Sequence, residues 1–158
     1  MSNATAADDF GAAMGMVLRS YAEMVGPQLV DFPQGARGYE TLCEVLKGEP
    51  PSQAALAAKL GIDRTIMTYL LDDLAAAGLV ERRPNPADRR QRRIVATPHG
   101  RAAVSELCGR VAEAEQAALA RLDENERVLF RRLLSKAAGT APAHTEEACA
   151  IVTGALAE

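Results

Sequence analysis

The chain has 158 residues, of which 48% are hydrophobic and 25% are charged, and its formal net charge is −3. That length fits one compact domain with extensions, and the lack of any run of about 18 apolar residues predicts no membrane-spanning helix. The first ten residues lack the basic stretch and apolar core of a secretion signal, so a cytoplasmic protein without membrane contact is predicted.

Two helices are predicted before the first proline-rich break. Residues 8–25 place apolar side chains at three- and four-residue steps, and Gly26-Pro27 ends that helix. The segment DFPQGARG at residues 31–38 has the composition of a loop. A second helix is predicted from Tyr39 to Lys47, and the sequence GEPP at residues 48–51 breaks it.

A helix-turn-helix is predicted directly after this break, because two short helices follow with only a few residues between them. Ser52 is a good N-cap for the first, in which Leu56 and Leu60 face inward. Asp63 is predicted to cap the second, which begins RTIMTYLLDD. The apolar stripe of the second helix is Met67, Leu70, Leu71 and Leu74, and its opposite face carries Thr65, Thr68, Tyr69 and Asp72.

The periodicity changes after Gly78, where a two-stranded hairpin is predicted. The segments LVERR and RRIVAT are rich in β-branched residues and partly alternate. The intervening PNPADRRQ is predicted to be a long basic tip outside both strands, because its two prolines remove hydrogen-bond donors. Thr97 and Pro98 then have the pattern of a helix start, with threonine as N-cap and proline at the first helical position.

Positive charge is concentrated on this hairpin. Residues 79–101 hold seven arginines against Glu81 and Asp88, a local balance of +5 that leaves −8 for the rest of a chain with net charge −3. Arginines clustered at one place repel one another unless a counter-anion is present. The asymmetry predicts a surface that binds a polyanion, and a solvated charge run is the alternative.

The remainder is predicted to be helical. One apolar line runs through Val104, Leu107, Val111, Ala114, Ala118 and Leu122. Asp123 to Glu126 resembles a capping box, and residues 145–156 are predicted to form a short terminal helix. The apolar stripes of the terminal helices exceed what a small domain can cover, which predicts a homodimer. Stripes expected to bury each other are Met14-Leu18-Tyr21 and Val104-Leu107-Val111, and packing inside one chain is the alternative.

In the stretch from Gly61 to Ala102 the sequence resembles the MarR family of winged helix-turn-helix transcriptional regulators, and the match covers roughly residues 35–138. Three elements occur at the family's spacing: Gly78-Leu79-Val80, Asp88-Arg89-Arg90 and Thr97-Pro98-His99-Gly100. The resemblance implies a mainly α fold with a small β-hairpin wing. It also implies an N-terminal dimerisation helix in residues 1–34, a DNA-binding domain in 35–101, and C-terminal dimerisation helices and a tail in 102–158.

Double-stranded DNA is the partner that these features predict. A helix fits the major groove, where its exposed side chains reach base edges. The predicted contacts are Arg64, Thr65, Thr68 and Tyr69 on the recognition helix, with Ser52 and Gln53 at the start of the preceding helix. An arginine-rich tip suits the narrow, electronegative minor groove. The resemblance implies that Arg90 enters that groove while Asp88 holds the tip by hydrogen bonding. Arg83, Arg89, Arg92 and Arg93 are predicted to neutralise phosphates.

The sequence departs from the family pattern at two positions of the recognition helix, and the resemblance also implies a form of regulation. Tyr69 and Asp73 stand where the family often has basic residues, which shifts electrostatic binding onto the wing. The family implies a repressor whose DNA affinity is weakened by a small aromatic or phenolic effector, bound between the dimerisation helices and the winged domain. Tyr21 and Tyr39 are the candidate lining residues, and core packing is the alternative for both.

Other functions are less consistent with the sequence. No GxSxG, GxGxxG, HExxH or Walker motif occurs, so no enzyme activity is predicted. Cys43, Cys108 and Cys149 lack metal or disulfide spacing, so buried thiols are predicted, with no metal and no cofactor, and a redox-sensing thiol is the alternative. The rival function is a winged-helix protein-interaction module that docks an acidic partner.

Overall fold

A computed structural model describes residues 5–47, 49 and 51–139 of the chain, with side chains from residue 9 onward. In chain order, the elements are α1 (Thr5–Val25), a 3-10 turn (Gly26–Leu29), α2 (Gly35–Val45), α3 (Gln53–Leu60), α4 (Arg64–Ala76), β1 (Val80–Pro84), β2 (Arg92–Ala96), α5 (Pro98–Ala118) and α6 (Glu124–Ala137). The two strands pair antiparallel in one sheet. This mainly α architecture with one small hairpin confirms the predicted fold class.

The core lies where α2, α3, α4, the hairpin and the start of α5 meet. The predicted apolar stripe of α4, which consists of Met67, Leu70, Leu71 and Leu74, is fully buried. The residues of the neighbouring elements that are equally buried are Leu42, Leu56, Ile94 and Val104. Burying one leucine side chain stabilises the fold by roughly 1.5–3 kcal/mol. These contacts hold the helix-turn-helix and the hairpin together as one unit.

Four predicted helix starts are confirmed, at Ser52, Asp63, Thr97 and Asp123. At α4, one carboxylate oxygen of Asp63 accepts hydrogen bonds from the amides of Thr65 (2.8 Å) and Ile66 (3.3 Å). These backbone hydrogen bonds lower the pKa of Asp63, because they stabilise its ionised form. The caps are local in sequence, which is why the pattern was sufficient to predict them.

Helix α2 begins at Gly35, so the prediction that residues 31–38 are all loop was wrong. Gln34 adopts a left-handed conformation with φ of 62°, and the chain turns from there directly into the helix. At Gly38, an added Cβ would lie 1.9 Å from the carbonyl oxygen of Pro33. The glycines in this segment therefore permit a close backbone approach inside the helix's first turn.

The hairpin pairs Val80 with Ala96 at its base and Pro84 with Arg92 at its far end. Pro84 was expected to lie outside the strands, and it is instead the last residue of β1. A proline is tolerated there because both strands of a two-stranded sheet are edge strands. The amide of Ile94 donates to the carbonyl oxygen of Pro51 at 2.8 Å, which ties β2 to the start of the helix-turn-helix.

The start of α5 is locked onto the turn that follows α4. The Thr97 hydroxyl donates to the carbonyl oxygen of Gly78 (2.5 Å) and accepts from the amide of Gly100 (3.0 Å). A Cβ at Gly100 would lie 2.1 Å from the carbonyl oxygen of Leu79. The Thr-Pro-x-Gly element therefore fixes how α5 leaves the winged domain, because only glycine fits at its fourth position.

Helix α5 packs along α1, and α6 is joined to α5 by an ion pair between Arg131 and Glu115 (3.1 Å). The line through Val104 and Val111 is buried within the chain. The expectation that this line contributes to a dimer contact was therefore wrong, because α1 and α2 of the same chain already cover it.

The apolar faces of α1 and α6 remain exposed. The large apolar side chains that face solvent there are Phe10, Met14, Met16, Val17, Leu18, Met24, Val128, Leu129, Leu133 and Leu134. Among the described residues, no helix is both long and apolar enough to cross a bilayer. The predicted terminal helix at residues 145–156 lies outside the described residues.

The cysteines in the described part of the chain are buried and form no disulfide. Cys43 lies in the core of the winged domain, and Cys108 lies on the buried side of α5. Burial raises the pKa of the Cys43 thiol to about 12, which keeps it protonated and poorly reactive at neutral pH. Cys149 lies outside the described residues.

Candidate nucleic-acid interface

Helix α4 has one buried and one exposed face. Arg64, Thr65 and Tyr69, three of the predicted DNA contacts, are exposed in its first two turns. Ile66 is also exposed, although it was not among the predicted contacts. The exposed surface of the first two turns is therefore one arginine, one threonine, one isoleucine and one tyrosine.

Thr68, the fourth predicted contact on this helix, is half-buried and already bonded. Its hydroxyl donates to the carbonyl oxygen of Arg64 (2.9 Å) and accepts from the side-chain amide of Gln53 (2.7 Å). The Gln53 bond crosses from α3 to α4. Thr68 therefore positions Gln53, whose amide oxygen and second amide hydrogen are not used in this contact.

Two carboxylates follow on the exposed face of α4, and each has a partner. Asp72 forms an ion pair with Arg82 of β1 at 2.7 Å, and Asp73 accepts a hydrogen bond from the side-chain amide of Gln34 at 2.5 Å. The first contact joins the recognition helix to the wing. The second joins it to the segment between α1 and α2. Sequence reasoning identified neither contact, because the partners are far apart in sequence.

The wing tip is built from two local turns. The side-chain oxygen of Asn85 accepts from the amide of Ala87 at 3.0 Å, and that of Asp88 accepts from the amide of Arg90 at 3.0 Å. Such side-chain-to-backbone bonds fix a turn without a regular strand. Asp88 thus makes the type of hydrogen bond that the family resemblance implied.

The charge of the wing is only partly compensated. Arg83 contacts Glu81 on the same strand, and Arg82 is paired with Asp72. Arg89, Arg90, Arg92 and Arg93 make no ion pair with any acidic group in the described part of the chain. Arg89, Arg90 and Arg92 are exposed, and Arg93 is half-buried.

Three contacts bring the predicted DNA-binding elements together. Ser52 pairs through its backbone with Arg93 of β2, and its hydroxyl caps α3 by accepting from the Ala55 amide at 3.2 Å. The Gln53–Thr68 bond joins α3 to α4, and the Asp72–Arg82 pair joins α4 to β1. The start of α3, the exposed face of α4 and the base of the wing therefore form one contiguous unit, which we call the α3–α4–wing surface.

The two tyrosines proposed for a ligand pocket have different surroundings. Tyr39 is buried and packs edge to face on Phe32, with ring centroids 5.8 Å apart. Tyr21 lines an apolar cavity of about 180 Å³ between α1, α5 and α6, together with Phe130. Burial, and secondarily the charge of Glu115, raises the pKa of Tyr21 to about 12.

A second cavity of about 370 Å³ lies against the winged domain. Its walls come from the segment after α1, the end of α4 and one face of α5. They include Phe32 and Pro33 on one side and His99 and Arg110 on another. We call it the α4–α5 cavity. Tyr39 lines neither of these two cavities, and its packing on Phe32 agrees with the alternative of core packing.

A model of the MarR family matches residues 37–91, which span α2 to the wing tip. The HTH-type transcriptional repressor NicR of Pseudomonas putida is 29% identical over 98 residues, which are 62% of this chain and 62% of that protein. A putative transcriptional regulatory protein for the hcr operon of Thauera aromatica is 31% identical over 100 residues, 63% of this chain and 60% of that protein. The chain thus covers less than two thirds of either relative. Both are named as regulators, which agrees with the prediction that no enzyme is encoded.

Solved structures match over most of their length. A transcriptional regulator of the MarR family from Rhodococcus sp. RHA1 has a TM-score of 0.75 at 28% identity, covering 87% of this chain and 98% of that one. A mutant of MarR from E. coli in complex with operator DNA has a TM-score of 0.73 at 24% identity, covering 87% and 99%. Bordetella bronchiseptica BpsR, from a study of how 6-hydroxynicotinic acid regulates its DNA binding, has a TM-score of 0.74 at 23% identity, covering 84% and 94%. The last two likenesses, below 25% identity, concern the fold alone.

Proposed function

We propose that this chain, which the MarR family model matches over residues 37–91, is a homodimeric regulator that binds a specific double-stranded DNA site and represses transcription by occluding a promoter. The observation that carries this proposal is the α3–α4–wing surface. It joins an exposed helix face to the base of a wing that carries four arginines without an acidic partner among the described residues. A helix and a basic hairpin held side by side suit adjacent grooves of one duplex.

In this proposal, α4 lies in the major groove, where Thr65 and Tyr69 reach base edges. Arg90 at the wing tip enters the minor groove, whose negative potential attracts a guanidinium group. Arg64 contacts the DNA backbone near the start of α4. Ser52 and Gln53, at the start of α3, contact the sugar-phosphate backbone of the DNA.

Phosphate contacts from the wing supply most of the electrostatic attraction. Arg83, Arg89, Arg92 and Arg93 are the proposed phosphate-binding residues. The contact between Arg83 and Glu81 offsets part of the charge of Arg83. We therefore expect a smaller contribution from Arg83 than from Arg89 or Arg92, which are exposed and have no acidic partner in the described chain.

The exposed apolar faces of α1 and α6 support the homodimer. Side chains such as Leu18 and Leu133 are more than half exposed in the single chain, and they lie on helices that pack against α5 or pair with it. A contiguous apolar surface of this kind marks an interaction site. A two-fold dimer would present two recognition helices to half-sites about one helical turn apart.

We propose that the α4–α5 cavity binds the effector. Arg110 and His99 offer donors for the oxygen atoms of a ligand, and Phe32 and Pro33 offer apolar contacts for a ring. The lining also includes Asp31 and Glu106, so an anionic group is accommodated only beside Arg110. Its volume of about 370 Å³ suits a small aromatic acid. Arg110 already donates one hydrogen bond to the carbonyl oxygen of Gln28, which fixes the guanidinium at the cavity wall.

The Gln34–Asp73 bond provides a route from this cavity to the DNA. Pro33 lines the cavity, and its neighbour Gln34 bonds directly to α4. A ligand that displaces Pro33 would therefore move or release α4. The ligand weakens DNA binding only if it binds better to the displaced arrangement than to the DNA-bound one.

The DNA-binding proposal is tested by selection from a random-sequence duplex library with the full-length protein. We expect enrichment of a two-fold symmetric site whose half-sites lie about 10 base pairs apart. Recovery of no enriched sequence, with no shift of random duplex DNA at low salt, would contradict the proposal. It would instead favour a module that docks an acidic protein.

The effector proposal is tested with 6-hydroxynicotinic acid and with hydroxybenzoates as probes. We expect one of these ligands to lower affinity for the selected duplex, and Arg110→Ala to abolish ligand binding measured by calorimetry. In Gln34→Ala, the ligand should still bind but change DNA affinity less. If no probe alters DNA affinity, the proposed effector class is wrong.

A further inference from the structure

The exposed face of α4 carries two large apolar side chains. Ile66 is 47% exposed and Tyr69 is 66% exposed, whereas Met67, Leu70, Leu71 and Leu74 on the same helix are buried. Single exposed apolar residues are common on protein surfaces. Here, however, the two lie three residues apart, on adjacent turns of the helix that the proposed function directs at DNA.

The polar groups around this pair are already engaged within the chain. Thr68 is bonded to Gln53, Asp72 is paired with Arg82, and Asp73 accepts from Gln34. Beyond Arg64 at the start of the helix, the part of the first two turns left available for contact is therefore the Ile66 side chain, the Tyr69 ring and the Thr65 side chain. This surface is mainly methyl groups and an aromatic ring.

The composition of α4 also limits which bases it can recognise by hydrogen bonding. Paired hydrogen bonds to guanine need arginine or lysine, and those to adenine need asparagine or glutamine. Within RTIMTYLLDDLAA, Arg64 is the only member of that group, and it sits at the very start of the helix. The C5 methyl group of thymine is the one apolar feature that a base pair displays in the major groove.

We propose that Ile66 and Tyr69 recognise thymine through its methyl group, so that the bound DNA presents T·A pairs to the first two turns of α4. This inference rests on the proposed function and specifies the base class that the recognition helix selects. Ile66 is a specificity-determining residue in this scheme, and Thr65 contributes its own methyl group. The contact is apolar and uncharged, so it adds a preference for thymine without neutralising a phosphate.

The test replaces thymine with uracil, one position at a time, in the duplex recovered from the random library. Uracil keeps every hydrogen-bonding group of thymine and lacks only the methyl. We expect roughly a three- to fivefold loss of affinity for each methyl that α4 contacts, measured by fluorescence anisotropy. Thymines outside the segment facing α4 should show no such loss.

Protein variants complete the test. Ile66→Ala should lose a similar factor on the thymine duplex and little on the matching uracil duplex, because the contact is already absent there. Val30→Ala is the matched control, since Val30 is a 75% exposed aliphatic residue away from the α3–α4–wing surface. It should bind both duplexes as the unchanged protein does.

The outcomes separate this inference from the proposed function. If no duplex is bound, the proposed function fails. If a specific duplex is bound with equal affinity in its thymine and uracil forms, DNA binding stands and the thymine inference is overturned. Equal losses for Ile66→Ala on both duplexes would also overturn it, because they would indicate a role for Ile66 that does not involve the thymine methyl group.

Discussion

At the residue scale, Asp88 and Arg90 have different roles at the wing tip. The carboxylate of Asp88 accepts the amide of Arg90, so its hydrogen-bonding capacity is used to shape the turn. The guanidinium of Arg90 is exposed, with no acidic partner in the described chain. The first residue therefore positions the second.

Arg90→Ala should lower affinity for the selected duplex by about tenfold or more, because it removes the proposed minor-groove contact and one positive charge. The fold should be unaffected, since the side chain makes no hydrogen bond or ion pair within the described residues. Arg121→Ala, at an exposed position on the turn between α5 and α6, makes the same change in charge far from the wing. Equal affinity for the two variants would show that Arg90 makes no contact with the DNA beyond its contribution to the net charge.

Residue roles were predictable from sequence only where the contacts are local. The caps at Ser52 and Asp63 involve amides two or three positions away, so the pattern of residues was sufficient. The bond between Gln53 and Thr68 joins residues fifteen positions apart. Thr68 was predicted to contact DNA, and nothing in the sequence indicated that Gln53 would already occupy its hydroxyl.

At the scale of elements, Glu44 joins α2 to α3. This buried carboxylate accepts a hydrogen bond from the Lys47 ammonium at 2.9 Å and contacts Lys59 on α3. Burial alone would raise the pKa of Glu44, but the hydrogen bonds from Lys59 and Lys47 outweigh it and hold the pKa below its ordinary value of 4.5. The ionised carboxylate thus helps to set the position of the helix-turn-helix.

Glu44→Gln should lower the free energy of unfolding at pH 7 by about 1–2 kcal/mol. That is less than for a fully buried pair, because Lys59 is 60% exposed and water screens it. Since the folded pKa is depressed, the stabilisation is present above pH 4.5 and is lost as the pH falls through the folded pKa. Urea unfolding should therefore show a gap between the two proteins that closes in acid.

The control for this measurement is Glu113→Gln, which removes a carboxylate that is exposed on α5 and has no ion pair in the described chain. It should change the free energy of unfolding little at either pH. A gap for Glu44→Gln that stays constant from pH 7 to pH 3 would show that charge is not the source of the effect.

Helices were predicted well where the apolar periodicity agreed with the residues that start or end a helix. They were predicted less well where glycine permits a close backbone approach instead of forming a loop. The end of α1 at Val25 and the start of α5 at Pro98 follow the predicted signals. The start of α2 did not, because Gly35 and Gly38 were interpreted as loop formers. Gly38 in fact permits a close approach of the Pro33 carbonyl, which depends on a backbone path that composition does not reveal.

At the scale of the whole molecule, dimerisation determines whether two α3–α4–wing surfaces act on one duplex. The sequence indicated more apolar residues than one chain can bury. It did not indicate which of them lie in the core and which face a partner subunit. Val104 and Val111 proved to be core residues, whereas Leu18 and Leu133 are exposed. Only the three-dimensional packing of α1 on α5 separates the two cases.

Leu18→Glu should convert the proposed dimer to a monomer, because a carboxylate cannot be buried unpaired at an apolar interface. Leu18 is 63% exposed in the single chain, so the fold of each subunit should survive. Sedimentation velocity should report half the mass, and affinity for a two-half-site duplex should fall by roughly 100-fold or more. Val30→Glu, at an exposed site outside the apolar faces of α1 and α6, should remain dimeric. A dimeric Leu18→Glu protein would contradict the proposed interface.

The most direct test of the central claim is the salt dependence of binding to the selected duplex. If two recognition helices and two wings neutralise about six to ten phosphates, a plot of log affinity against log salt should have a slope of roughly −5 to −9 between about 50 and 200 mM salt. Arg92→Ala should make that slope shallower by one or two units, since each dimer loses two charges. A slope near zero would contradict the account, because it would mean that the arginines of the wing do not contact the DNA backbone.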